Sequence, residues 1–254
     1  MDEPARAELE RGGIVFLYRP RIGVSAVRSL DDVQRFFLVL RVEGRGLVRE
    51  VVIGVKRLPD PARHERVWAL VAKVRPGAAD LRDDVMSYVH PTKTLGTRTQ
   101  PAARAAGEGR YSILEHDGHG HLVYVAELPP DLGDARRFLH IAPAASYILA
   151  VLNPDDPAPV GLVSARRAPE LPSRLSERFA GRRFAPLDTV EWLDYEGVQL
   201  VLIATAASGL ERELAGEPEP AGAAETAAER ADTVELFRDL GLDPSRLPVE
   251  PAYR

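Results

Sequence analysis

The chain has 254 residues, a formal net charge of −5, 28% charged residues and no cysteine. That length suits one large domain or two small ones, and the missing cysteine removes disulfides, cysteine-ligated zinc, iron–sulfur clusters and thiol nucleophiles together. The negative balance weighs against a dedicated nucleic-acid binder without excluding a local basic groove.

No apolar run approaches the roughly 20 residues of a membrane span. The charged start "MDEPARAELERGG" lacks the apolar stretch of a signal peptide. A soluble, cytoplasmic protein with no membrane partner is the expectation. Lysine occurs only at Lys56, Lys73 and Lys93, against many arginines. Guanidinium forks suit phosphate and carboxylate, and the coding bias of a GC-rich genome is the plainer account.

Along the chain, "GIVFLYRP" (13–20) is short, β-branched and aromatic, and reads as a strand. "SLDDVQ", from Ser29, offers a turn of helix. In "RFFLVLRVEGRGLVREVVIGVKRLP" two β-rich runs flank "EGRG", a hairpin loop. The stretch 62–75 is ambiguous. Asp60-Pro61 can start a helix with Val67, Leu70, Val71 and Val74 on one face; "VWALVAKV" closed by Pro76-Gly77 reads better as a buried strand. "AADLRDDVMSYV" is a short helix. Residues 90–110 carry much Pro and Gly with little periodicity, so a long irregular loop is expected, and such loops are often functional. His90, Arg98, Gln100, Arg104 and Arg110, beside Arg19 and Arg21 of "FLYRPR", are the candidate anion-binding set. The competing account is a solvated loop tied down by ion pairs.

"YSILEHDGHGHLVYVAELP" is the clearest hairpin, because Asp117-Gly118 suits a two-residue turn with φ > 0. "SYILAVLNP" (146–154), "PVGLVSA" (159–165) and "VQLVLIATA" (198–206) read as further strands, and "SRLSERFAG" as a short helix from Ser173. Composition then shifts to Ala, Glu and Pro, a linker over 207–229. Residues 230–254 form a helix and tail. Val234, Phe237, Leu240 and Leu242 make its apolar face, which must dock on the body, on a second copy or on another protein.

"VVIGVKRLPDP" (51–61) and "LVYVAELPPDL" (122–132) each follow a strand, end in Leu-Pro and precede another strand. They suggest an internal repeat over 36–76 and 111–154, or a chance likeness of β-rich segments. The turn at 117–118 sets His116 opposite His119 and Leu114 opposite His121. Three of the six histidines therefore share a face, at a spacing that could meet one zinc ion. No carboxylate stands in register to orient them, so a solvated hairpin tip is the plainer reading. Tyr111, Ile113, Leu122 and Tyr124 take the opposite, core-facing side. P-loop, dinucleotide, Gly-x-Ser-x-Gly and His-Glu-x-x-His patterns are absent from the sequence.

"ERGGIVFLYRP", "QPAARAAGEG" and "ERFAGRRF…LDYEG" together resemble a family of uncharacterised bacterial proteins of similar length, which brings no activity. "GGIVFLY" and the later "VWALVAKV" are similar to PUA-like and EVE domains, small nucleic-acid-binding β-barrels, over residues 11–80. Gly13 stands where those carry an acid. The expected fold is therefore α+β: a β-dominated body over 1–206, with or without duplicated hairpin-plus-strand units, and a C-terminal helical arm. The expected function is a non-enzymatic binding or assembly protein without a cofactor. A PUA-like nucleic-acid or nucleotide-binding module is the alternative, and a zinc-dependent hydrolase using the histidines the third.

Overall fold

The structure is a computed structural model that describes residues 7–92, 96–116, 118–128, 134–156, 167–205 and 240. Strand dominates at 49%, against 17% helix. Eight strands close into a barrel. They are β1 (Ala7–Pro20), β2 (Val33–Val42), β3 (Val48–Ile53), β4 (Arg66–Arg75), β7 (Arg104–His116), β8 (His119–Leu128), β9 (Ala144–Leu152) and β11 (Gln199–Ala204). The order around the barrel is β1-β2-β3-β4-β11-β9-β8-β7 and back to β1, every neighbour antiparallel. Strand β10 (Phe184–Pro186) adds to the lower half of β9. A separate hairpin, β5 (Tyr88–Thr92) and β6 (Gly96–Gln100), stands outside the barrel.

Alternation along the strands makes two cores, because successive side chains point to opposite faces. Inward go Ile14, Phe16 and Tyr18 of β1, Phe36, Leu38 and Leu40 of β2, and Tyr111, Tyr124 and Tyr147 from the far wall. Phe16 meets Tyr124 edge-on with ring centroids 5.0 Å apart. Outward go Val15, Leu17, Phe37, Val39 and Val52, which form a second cluster under residues 78–85 with Ala103, Ala105 and Leu240. These strands are apolar on both faces because both are covered.

Both ends of the barrel are stoppered. At the end where β1 finishes, Val27, Leu58, Leu139 and Ile141 from three connecting loops join the inner core. At the other end a 3-10 turn at Val190–Asp194 inserts Trp192 and Leu193, which are 0% and 2% exposed. Glycines admit close approaches of the wall: a Cβ on Gly109 would lie 1.9 Å from the Val125 carbonyl oxygen, beside a register shift in β7–β8.

The strands expected over 13–20, 36–53, 111–127, 146–152 and 198–204 are present, and 66–75 is strand β4 rather than helix. Its partners β3 and β11 pair along both of its edges, which outweighs the helix start at Asp60-Pro61. The expected irregular loop over 90–110 is a correction. It holds the β5–β6 hairpin and the start of β7, since Gly96 at φ +70° makes the turn and alternating threonines suit strands. The two repeat candidates are the meanders β2-β3-β4 and β7-β8-β9. Their first strands run the same way on either side of β1, but the meanders lead round the barrel in opposite directions. No rotation superimposes one on the other, so the likeness is one of strand pattern. The strand expected at 159–165, the linker and most of the arm lie outside the described residues.

Candidate binding surface

Buried apolar side chains fill the inner core, and the polar clusters lie at the barrel ends and on the outer wall. One polar network does lie inside, at the Trp192 end. Arg49 is 0% exposed. Its Nη1 and Nη2 donate to Glu10 Oε1 and Oε2 at 2.5 and 2.9 Å, and Nη2 also to Asp194 Oδ1 at 2.6 Å. The Tyr111 hydroxyl donates to Glu10 Oε1 at 2.8 Å, and Arg45 reaches Asp194 from outside at 2.8 Å. Burial works against the Arg49 charge, but the hydrogen bonds and charges of Glu10 and Asp194 outweigh it and hold its pKa above the ordinary value. Burial, then Glu10, push the Tyr111 hydroxyl up. The network satisfies both terminal nitrogens of Arg49 but leaves its buried Nε without a hydrogen bond, and it ties the stopper to the wall.

At the opposite end Arg57 grips Glu65 in a fork, at 2.5 and 2.6 Å, and touches His140 Nδ1 at 3.3 Å. Its hydrogen bond holds the Glu65 carboxyl below the usual range, while burial and Arg57 lower His140. His64 and His140 both take left-handed backbone here. This cluster fastens the cap loops to each other.

The outer wall is different. Arg19, 6% exposed, sends its guanidinium to the carbonyl oxygens of Asp84, Met86 and Pro101 and lies 5.6 Å from the Tyr88 ring centre. Gln100, 1% exposed, donates to the Pro20 carbonyl at 3.1 Å. These two side chains clamp both ends of the β5–β6 hairpin to the end of β1. Arg98 stands half-buried at mid-hairpin, opposite His90 in register. Arg104 donates to the Ser25 carbonyl at 2.8 Å, and Arg110 pairs with Glu127 at 3.1 Å farther along β7. Arg21 is exposed at the end of β1. The structure thus brings Arg19 of β1 to the hairpin that carries Arg98 and Gln100, but commits Arg19 and Gln100 to backbone oxygens rather than to a ligand.

Beneath the clamp a charged layer is buried. Glu50, 4% exposed, lies on the outward face of β3. Burial first, then Asp84, push its carboxyl up to about 7, against the opposing pull of Arg35, Lys73 and Arg19. Lys73 pairs with Asp84 at 2.5 Å. Above it the hairpin exposes apolar side chains: Met86, Tyr88 and Val89 are 39%, 48% and 63% exposed. Val55 is the fourth large apolar side chain with such exposure among the described residues. The sequence does not mark Met86, Tyr88 and Val89 as a strand, because "AADLRDDVMSYV" reads as a short helix. The strand signal was the alternating Thr92, Thr94, Thr97 and Thr99.

The histidine hairpin has the expected register, with His116 opposite His119 and Leu114 opposite His121. Gly118 takes φ +75°. His119 is exposed, but His121 is 5% exposed between Leu114 and Ile148, so the histidine face is only partly solvated. The His116 and His121 rings lie 5.8 Å apart, and among the described residues no group of three or more His, Asp or Glu side chains is placed to hold a metal ion. A cleft of about 560 Å³ lies outside the barrel between Asn153, Asp155, Glu170, Leu171 and Phe179. Its Glu170 is paired with Arg167. Of the arm residues, Val234, Phe237 and Leu242 fall outside the described residues, and Leu240 is 0% exposed in the outer cluster. No described helix is long and apolar enough to cross a membrane. Compared with protein-family models, curated proteins and solved structures, the chain matches none of them.

Proposed function

We propose that the chain is a non-enzymatic binding protein of the cytoplasm, in which a stoppered barrel serves as a rigid base and the β5–β6 hairpin makes the contact. One observation carries this reading. Three of the four most exposed large apolar side chains among the described residues fall within Met86–Val89, on an element that two buried side chains clamp in place. Apolar exposure on both faces of an anchored hairpin and at its entry suits an interface, because a rigid contact loses less entropy on binding. The ion-pair networks at the barrel ends fit a rigid base, since they tie the stopper and the cap loops to the wall.

The test is a photo-crosslinking residue at Val89 in the full chain, activated in living cells. A defined crosslinked partner, lost when Met86 and Tyr88 are changed to Ser in the same chain, is the expected result. No adduct from Val89, or adducts indifferent to the two Ser substitutions, rejects the hairpin as the contact element.

A further inference from the structure

We infer that the β5–β6 hairpin takes a third strand from its partner, an extended acidic peptide laid along β6. This rests on the hairpin being the contact element and adds the chemistry of the partner and its mode of binding. The first ground is the backbone. The hairpin is a two-stranded sheet, and among the described residues no strand pairs with the outer edge of either β5 or β6. Such a ribbon is marginal in water by itself, and an open edge is a template for another strand. Arg19 and Gln100 fix its base and leave its edges uncovered by strand. Strand β5 contains Pro91, which has no N–H to give, whereas β6, "GTRTQ", has no proline. The edge of β6 is therefore the one that can offer an unbroken ladder.

The second ground is the side chains. Val89 stands opposite Thr99 and Pro91 opposite Thr97, so these four share a face, and all four are exposed. Tyr88, Arg98 and Gln100 share the other face. A strand added to β6 continues both: apolar or β-branched residues beside Thr97 and Thr99, and residues of opposite charge beside Arg98.

The third ground is charge. From Val85 to Gly107 the chain has no Asp or Glu, but carries Lys93, Arg98 and Arg104, while the whole protein stands at −5. Carboxylates on an incoming strand meet Arg98 with no acid of the hairpin to repel them. A single-stranded nucleic acid is also anionic, but it needs a row of cations along its backbone as well as stacking rings. The described hairpin offers Arg98 alone at its middle, with Asp83 exposed near its base.

The experiment uses the full chain and a short, labelled, end-capped peptide alternating Glu and Val, read by fluorescence anisotropy. Its companions are the Lys–Val counterpart, the Glu–Val peptide N-methylated at every second residue in either phase, and an oligo-deoxythymidine. Expected are micromolar binding of the Glu–Val peptide and about tenfold weaker binding of the Lys–Val peptide and of one N-methylated phase, a factor of ten in Kd being about 1.4 kcal/mol. Arg98→Glu should weaken the Glu–Val peptide by a similar factor while leaving the melting temperature unchanged. Binding that ignores N-methylation in both phases, tighter binding of oligo-deoxythymidine, or no Glu–Val binding at millimolar peptide overturns the inference. If Val89 still crosslinks a partner in cells, the contact surface stands and only the strand-addition mode falls. If it does not, both fall.

Discussion

Glu50 is a carboxylate whose surroundings work against its charge. Its folded pKa of about 7 lies above its ordinary value of 4.5, through burial first and Asp84 second. A raised carboxylate pKa means that the folded state holds its proton more tightly than the unfolded chain does. The stability linked to Glu50 is thus fully present below about pH 4.5 and is lost as pH rises through 7. The size is on the order of 2–3 kcal/mol. Glu50→Gln keeps the shape and removes the titration, so the variant should melt higher than the parent at pH 8. Below pH 5 the two should converge, and the difference between their melting curves across that range is the measurement. Equal melting at pH 8 would show that water reaches the carboxylate. Burial, followed by Glu127, pushes Glu108 the same way, also to about 7, so the parent should keep some slope after Glu50 is replaced. His121 shows how a single residue can depart from its pattern. The turn chemistry fixes its face correctly, yet it is 5% exposed where a solvated tip is the simple expectation. His119→Ala should therefore change stability by no more than about 0.5 kcal/mol, and His121→Ala by more than about 1 kcal/mol. Urea titration of the two variants compares them directly.

At the scale of elements, the legible parts were those whose signal is local. The β7–β8 register follows from Asp117-Gly118 and alternation alone, down to the pairing of Tyr111 with Tyr124. Strands β1 to β3 announce themselves by β-branched runs, whereas β4 also carries a helix start and a helical face in its sequence. The β5–β6 hairpin was hidden because Thr, Pro and Gly also spell a loop, and it is two clamps from distant positions, Arg19 and Gln100, that hold it as a sheet. The Trp192 stopper was hidden for the same reason. Nothing near Asp194 in sequence says that its partner is Arg49 on β3, or that Glu10 on β1 completes the set. That network makes a sharp prediction. Arg49→Met alone leaves the buried Glu10 with only Arg45, at 3.8 Å, as counter-charge and should cost about 3 kcal/mol. Arg49→Met combined with Glu10→Met removes both charges and should recover most of that loss, since a buried ion pair is often no better than well-packed apolar groups. Asp194 keeps Arg45 in both variants. If the double variant is no more stable than the single one, the pair does more than neutralise charge, and the stopper depends on its hydrogen bonds.

On the scale of the whole molecule, closure is the feature least visible in the sequence. Strand β11 inserts between β4 and β9, joining residues more than a hundred positions apart, and β1 is shared by both meanders. Such pairings are set by global packing rather than by local propensity. Closure also separates the two cores. The inner one is built between Ile14 and Ala204, whereas the outer one includes Leu240 with Val15, Leu17, Phe37 and Val39. Of the segment expected to dock, Leu240 lies in the outer cluster on the chain's own wall. Removing the segment should have unequal effects. Truncation after Ala215 takes no described residue from the inner core, so the barrel should keep its strand content and cooperative melting. It strips a side chain that is 0% exposed from the outer cluster, which should increase binding of an apolar dye and lower the melting temperature. Leu240→Asp in the full chain should do the same, at a cost of about 2–5 kcal/mol by analogy with large-to-small changes in cores. Dye binding and calorimetry on the two variants are the measurements. A truncated chain that fails to fold would make the outer cluster part of one indivisible core. A truncated chain indistinguishable from the parent would mean that Leu240 adds nothing to the wall it covers.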